Sequence, residues 1–250
     1  MNNIITSSTP VGVEPISPNF ELGLVDTWSY SALKVFEECP YRTYISRVRK
    51  IREPSGPAAE RGTEIHQQAE DYIKGELGEM PDTLKKFEDE FDELRTLFAE
   101  AKCEVEGEWG FTKDWTPTGW MFPNTWARIK LDACVTQDET SMRVIDFKTG
   151  KRFGNEIAHG QQALIYAIAA FLRHPDAQFV KTELWYLDKN ETATRNYTRD
   201  EALLFLPKWH SRAVKMTTCT DFTPTPSQSA CRWCTFKKGD SPECQYGVSR

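Results

Sequence analysis

Apolar residues along the chain switch between two spacings, and the switches mark out the elements. Between Glu60 and Lys74, Ile65, Ala69 and Ile73 stand four apart on one helical face, with His66 beside it. Pro81 opens a second long helix, in which Leu84, Phe87, Phe91, Leu94 and Phe98 are spaced by three and four. The period then becomes two. Cys103, Val105, Gly107, Trp109 and Phe111 alternate with Glu104, Glu106 and Glu108, which predicts a strand with a solvated acidic face, favoured over the alternative of Glu106 as an auxiliary acid. Residues 126–135 alternate likewise, setting Arg128, Lys130 and Asp132 against Ala127, Ile129, Leu131 and Ala133. Met142 to Lys148 reads as a third strand, stopped by Thr149-Gly150. Helical spacing returns over 157–173, with Leu164, Ile165, Ile168 and Leu172 inward, and strands follow at 179–187 and 194–197.

Capping residues and prolines divide the rest. Ser29 and Ser31 suit the start of a helix carrying Leu33 and Phe36, and Pro40 suits the first turn of the next. A Gly/Pro-containing link runs from Glu53 to Ala59. Thr198 and Glu201 have capping-box spacing for a last helix of Leu203, Leu206, Trp209 and Ala213, kinked at Pro207. Residues 1–27, with three prolines and little periodicity, read as a flexible arm; 28–220 reads as one domain and 221–250 as a Cys-rich tail.

Composition narrows the function classes. At 250 residues, 39% hydrophobic, the chain can bury one substantial core. It contains neither an apolar run of membrane-spanning length nor the marks of a secretory leader, so a soluble, cytoplasmic protein with no membrane partner is expected. Seven cysteines in such a chain point away from a disulfide framework and towards metal ligation or buried thiols. A net charge of −6 excludes a uniformly basic nucleic-acid coat. The segment from Tyr41 to Arg52 nevertheless holds Arg42, Arg47, Arg49, Lys50 and Arg52 without an acid, either a solvated helix face or a phosphate-binding patch.

Asp146 and Lys148 lie two apart on one strand and so project from the same face, and Asp132 on a neighbouring strand can meet them. Phosphodiester hydrolysis needs this set: carboxylates to hold Mg²⁺ or Mn²⁺ against the phosphate, and a cation to offset developing negative charge. Alone, an Asp-x-Lys strand also describes a polar face closed by a salt bridge.

The order of further motifs adds to this: Ser31 followed by Cys39-Pro40-Tyr41, then Arg61-Gly-Thr-x-x-His66, then Asp132, then Asp146-Phe-Lys-Thr-Gly-Lys151, then Gln162-Ala-Leu-Ile-Tyr166. From about Tyr30 to Cys244 the sequence resembles the RecB-like branch of the PD-(D/E)XK nucleases, which includes RecB and AddB nuclease domains and CRISPR-associated relatives. The resemblance implies a restriction-endonuclease-like α/β core, a central mixed sheet flanked by helices. It implies a metal-dependent DNA nuclease, an exonuclease of replication, recombination or repair, centred on Asp132, Asp146 and Lys148. It further implies His66, Asp132, Asp146 and the Phe147 carbonyl as ligands of Mg²⁺ or Mn²⁺. Gln162 and Tyr166 would steady Lys148 or the DNA backbone, with Arg42, Arg47, Arg49 and Lys50 on DNA phosphates. Three residues before the first metal-binding Asp the family commonly has Gly; here it is Ile129.

Cys231-Arg-Trp-Cys234 and Cys244, taken with Cys39, match the four thiolates by which many RecB-like nucleases hold a 4Fe-4S cluster, and four thiolates also suit zinc. Cys103, Cys134 and Cys219 are left for the core. Two other classes remain in view, a catalytically silent DNA-binding relative and a zinc-ribbon interaction module. With no G-x-x-x-x-G-K-[ST] loop in the chain, any ATP-driven unwinding would need a separate helicase or recombination subunit.

Overall fold

The computed structural model describes residues 23–237 and 241–248, so most of the arm expected at 1–27 lies outside the described residues. By compactness the chain forms two units, one of residues 57–207 and one that joins 23–56 to 208–248.

The first unit is built on a six-stranded sheet in the order β2-β1-β3-β4-β5-β6: β1 (Cys103–Phe111), β2 (Pro117–Thr118), β3 (Ala127–Thr136), β4 (Ser141–Lys148), β5 (Phe179–Tyr186) and β6 (Glu191–Thr198). Every pair is antiparallel except β4 and β5. That parallel pair requires a crossover, which is α5 (Glu156–Arg173). The sheet is therefore mixed and flanked by helices, a restriction-endonuclease-like α/β core.

One face of the sheet packs on α3 (Pro57–Ile73) and α4 (Glu88–Ala99). Ile65, Ala69, Tyr72 and Ile73 of α3 meet Phe91 and Leu94 of α4 over Ala133, Val135, Ile145, Phe147 and Trp185. Helix α3 starts three residues earlier than its periodicity predicts, because Pro57 fits a first turn. Helix α4 starts later than Pro81: residues 85–87 form a 3₁₀ turn and Phe87 has ψ 37°, outside the helical region. Leu84 and Phe87 are buried all the same. Tertiary packing, not helical phase, sets their spacing.

Helix α5 departs most from the amphipathic expectation. Ala163 and every residue from Ile165 to Phe171 are buried, while Leu164 and Leu172 are only partly so. Four of the buried residues are alanines, which let the helix lie close to its neighbours. Its C-terminal end is held by Arg199, whose guanidinium donates to the carbonyls of Phe171, His174, Pro175 and Ala177 at 2.7–3.0 Å. The capping box of Thr198 and Glu201 is formed, opening α6 (Arg199–Leu203). The predicted kink at Pro207 is a full break: α7 (Leu206–Thr217) begins anew, with the proline in its first turn.

In the second unit Ser29 caps α1 (Tyr30–Glu38), and Pro40 opens α2 (Pro40–Thr43). A π-helical turn follows at Tyr44–Val48. The tail, which includes α8 (Gln228–Arg232), is held to these segments by specific contacts. Phe222 packs edge-on to Phe36, and Tyr246 edge-on to Tyr41. Glu243 pairs with Arg49 at 2.6 Å, and Thr235 donates to the Glu53 carboxylate that Arg42 also grips. Of the three cysteines expected in the core, Cys103 and Cys134 are buried, and burial pushes both thiols up, that of Cys103 to about 12. Cys219 is only half-buried, because it follows the end of α7 in a turn. Among the described residues no helix is long and apolar enough to cross a membrane.

Candidate active site

The site lies where two central strands part. The β3–β4 ladder pairs Thr136 with Met142 and continues to Ala133 with Ile145, where it stops. The next residues in that register are Asp132 and Asp146. Instead of a ladder bond, the Phe147 N–H donates to Asp132 Oδ2 at 2.5 Å. The carboxylate thus takes over a backbone donor that the split would leave unpaired.

Asp146 sits in a closed set of polar contacts. Lys148 Nζ is 2.5 Å from its Oδ2 and donates to Gln162 Oε1 at 2.8 Å. Gln162 Nε2 donates to Asp146 Oδ1 at 3.2 Å and to the Tyr166 hydroxyl at 2.6 Å, and that hydroxyl donates to Asp146 Oδ1 at 3.2 Å. One turn of α5 separates Gln162 from Tyr166, so one helical face supports both the acid and the lysine. Besides the lysine contact, Asp146 Oδ2 is buried without a hydrogen bond. A lone pair is left over for a further cation.

His66 arrives from α3, its Nδ1 3.0 Å from Asp132 Oδ1. One turn earlier, Gly62 passes close to the end of β4: a Cβ there would lie 3.2 Å from the Thr149 hydroxyl. Glu106 completes the group, with ligand atoms of His66, Glu106 and Asp132 all within 4.8 Å of one another. In the β1–β3 register Glu106 falls opposite Asp132, at the one position where the ladder lapses, and its φ is +54°. A non-glycine residue in the left-handed region costs on the order of 1 kcal/mol or more, and such strain collects at working sites.

The three glutamates expected to share a solvated face have separate environments. Glu104 accepts from the Trp109 indole, Glu108 is exposed, and half-buried Glu106 pairs with Lys130 beside the aspartates. No signal in the sequence separates Glu106 from its neighbours; the lapse in pairing does.

Electrostatics follow from this crowding. Burial and the charge of Asp146 raise the Asp132 carboxyl above its ordinary value, against His66 and the Phe147 N–H. Burial pulls the His66 imidazole down, but the hydrogen bond and charge of Asp132, with Asp146 and Glu106 behind it, leave it raised. Burial and the same two aspartates push the Tyr166 hydroxyl well up, so it stays a neutral donor. The crowded acids of the cluster therefore favour positive charge beside them.

The remaining sequence-predicted residues lie in the second unit. Arg42 is committed to Glu53 by bonds of 2.8 and 2.6 Å, and Arg49 to Glu243. Arg47 and Lys50 are exposed. Cys39, Cys231, Cys234 and Cys244 line one pocket with Tyr41 and Phe236. Ile129, standing where the family has glycine, belongs to the first unit; it is buried and pairs with Trp109 on β1.

Two carboxylates and a lysine at a split in a mixed α/β sheet are the charge arrangement of a phosphodiester-cleaving centre. The family model for the PD-(D/E)XK nuclease superfamily matches residues 27–129 and again 128–238, and the chain belongs to that superfamily. No curated protein matches it. Among solved structures, the crystal structure of SSO0001 is 18% identical with a TM-score of 0.47, over 90% of this chain and 88% of that one. A crystal structure of LHK-Exo in complex with dAMP is 15% identical with a TM-score of 0.36, over 76% and 87%.

Proposed function

We propose that this nuclease is a metal-dependent deoxyribonuclease, an exonuclease acting in DNA replication, recombination or repair. The observation that carries the reading is the convergence of Asp132, Asp146, Lys148 and His66 at the split between β3 and β4. His66, Asp132, Asp146 and the Phe147 carbonyl would hold Mg²⁺ or Mn²⁺, with Glu106 as a further acid. The donor set fits such an ion: hard oxygens, an unused lone pair on Asp146, and a proton-attracting His66–Asp132 pair. Bound there, a divalent ion supplies Lewis-acid activation of water and of the phosphate. Lys148 then orients the attacking water and offsets charge on the phosphate oxygens, while Gln162 and Tyr166 keep Lys148 and Asp146 in place. In the second unit, exposed Arg47 and Lys50 serve phosphate contacts better than Arg42 and Arg49, which are already paired.

The test is incubation of the protein with end-labelled single- and double-stranded DNA in Mg²⁺, Mn²⁺ or EDTA. Release of labelled mononucleotides or short fragments from one end, only with metal, is expected. Internal cuts would replace the exonuclease reading with an endonuclease, and intact DNA under every condition would remove the enzyme reading.

The four thiols around the second unit's pocket are proposed to hold a 4Fe-4S cluster, with zinc as the alternative. Such a group would restrict a tail that has few aliphatic residues of its own. Anaerobically purified protein should be brown and contain iron and acid-labile sulfide, and Cys39→Ser should bleach it and open the tail to protease. Colourless protein with stoichiometric zinc selects the alternative.

A further inference from the structure

The loop between β4 and α5 leaves the site directly from Lys148 and returns at Gln162. It presents Phe153 with 90% of its surface exposed, and Ile157, four residues on in the first turn of α5, with 81%. Isolated exposed apolar residues are ordinary on protein surfaces, but this pair has two unusual companions. The first is charge: Lys151 and Arg152 precede Phe153, and both are exposed. Arg152 has an acidic neighbour in Glu191, but at 4.0 Å, the limit of an ion pair. The second is order. Asn155 donates from its side chain to the Lys151 carbonyl at 2.9 Å and from its backbone to Arg152 at 3.0 Å. The Gly154 N–H donates to Glu156 at 2.8 Å, and Gly154 takes the φ of +85° that the turn requires. The backbone that carries the ring is a hydrogen-bonded turn, so a flat partner meets an ordered loop. Five residues of extended chain reach about 18 Å at most, so Phe153 lies within that distance of Lys148.

An aromatic ring flanked by cations beside a phosphodiester-cleaving centre matches a strand of nucleic acid, whose bases stack and whose phosphates pair with lysine and arginine. Resting on the nuclease reading above, we propose that Phe153 is a stacking platform for an unpaired base of the DNA strand entering the site, with Lys151 and Arg152 on its phosphates. Ile157 extends the apolar ledge. The consequence is a preference for single strands or frayed ends, because a base inside a duplex has no free face to offer.

The experiment compares affinities of the full chain for a single-stranded oligonucleotide and a blunt duplex of the same sequence, with Ca²⁺ replacing Mg²⁺. Phe153→Ala should weaken single-strand binding on the order of tenfold or more and leave duplex binding within about twofold. Phe153→Trp should restore it. The salt dependence should be unchanged in Phe153→Ala and shallower in Lys151→Ala with Arg152→Ala, which removes phosphate contacts instead. In the oligonucleotide, 2-aminopurine near the cleaved end should be quenched by the native protein and not by Phe153→Ala. Wild-type-like affinity and quenching in Phe153→Ala, or equal losses on both substrates, would overturn the stacking role while leaving the nuclease reading intact. Wild-type protein that neither binds nor cleaves DNA would overturn both.

Discussion

Lys148→Ala and Asp146→Ala are each expected to reduce DNA cleavage by roughly a thousandfold or more while the protein remains folded. Lys148 is the cation nearest the buried carboxylate, and Gln162 already aims it. Neither Gln162 nor Tyr166 replaces an ammonium at that point, since both bring only neutral groups. The two variants should differ in a second measurement. Calorimetric titration with Mn²⁺ should show weakened binding for Asp146→Ala and near-native binding for Lys148→Ala, because the lysine is not a ligand. Circular dichroism should stay native for both, since Gln162 and Tyr166 remain to solvate whichever partner is left. Full activity in either purified variant would dismantle the assignment of this centre.

Divalent metal should stabilise the protein strongly, and more so as pH rises. His66 and Asp132 both hold a proton more tightly in the folded chain than in the unfolded one. Their contribution therefore favours folding at low pH and fades as pH climbs through the raised folded values, which lie above the ordinary 3.8 for the carboxyl and 6.5 for the imidazole. A cation at the same position competes with those protons and gains as they leave. At a hundredfold excess over its dissociation constant it should add about 2.7 kcal/mol, an upward shift in Tm of roughly 5–10 °C for a chain of this size. The measurement is the difference in Tm between Mn²⁺-loaded and EDTA-treated protein from pH 5 to 8.5. A difference that is flat, or that survives in Asp146→Ala, would mean that the metal acts elsewhere.

Much of this centre is legible in the sequence, because alternation marks β1 and the first half of β3, and a Thr149-Gly150 turn marks the end of β4. Strand β4 ends at Lys148, as the Thr149-Gly150 stop predicts, and β1 spans Cys103–Phe111, as its alternation predicts; two apart on β4, Asp146 and Lys148 share a face. The capping residues Ser29 and Thr198 act through their own local hydrogen bonds and are equally legible. What the sequence hides depends on contacts between distant segments. Leu84 and Phe87 continue a helical rhythm although their backbone is not α-helical, since the shared core rewards the spacing either way. The alanines of α5 carry no amphipathic signal, yet they are buried with the larger residues around them. Glu106 is one of three identical residues at equal intervals, and only its register against Asp132 distinguishes it.

The bond from the Phe147 N–H to Asp132 bears on how an inactive form should be made for trapping substrate. Asp132 closes the gap between β3 and β4 as well as facing His66, so replacing it would disturb the hairpin and the chemistry together. A dead enzyme made there would report on a damaged surface. Lys148, whose ammonium is held by the side chains of Gln162 and Asp146, is the safer position for a bait that still closes on its DNA.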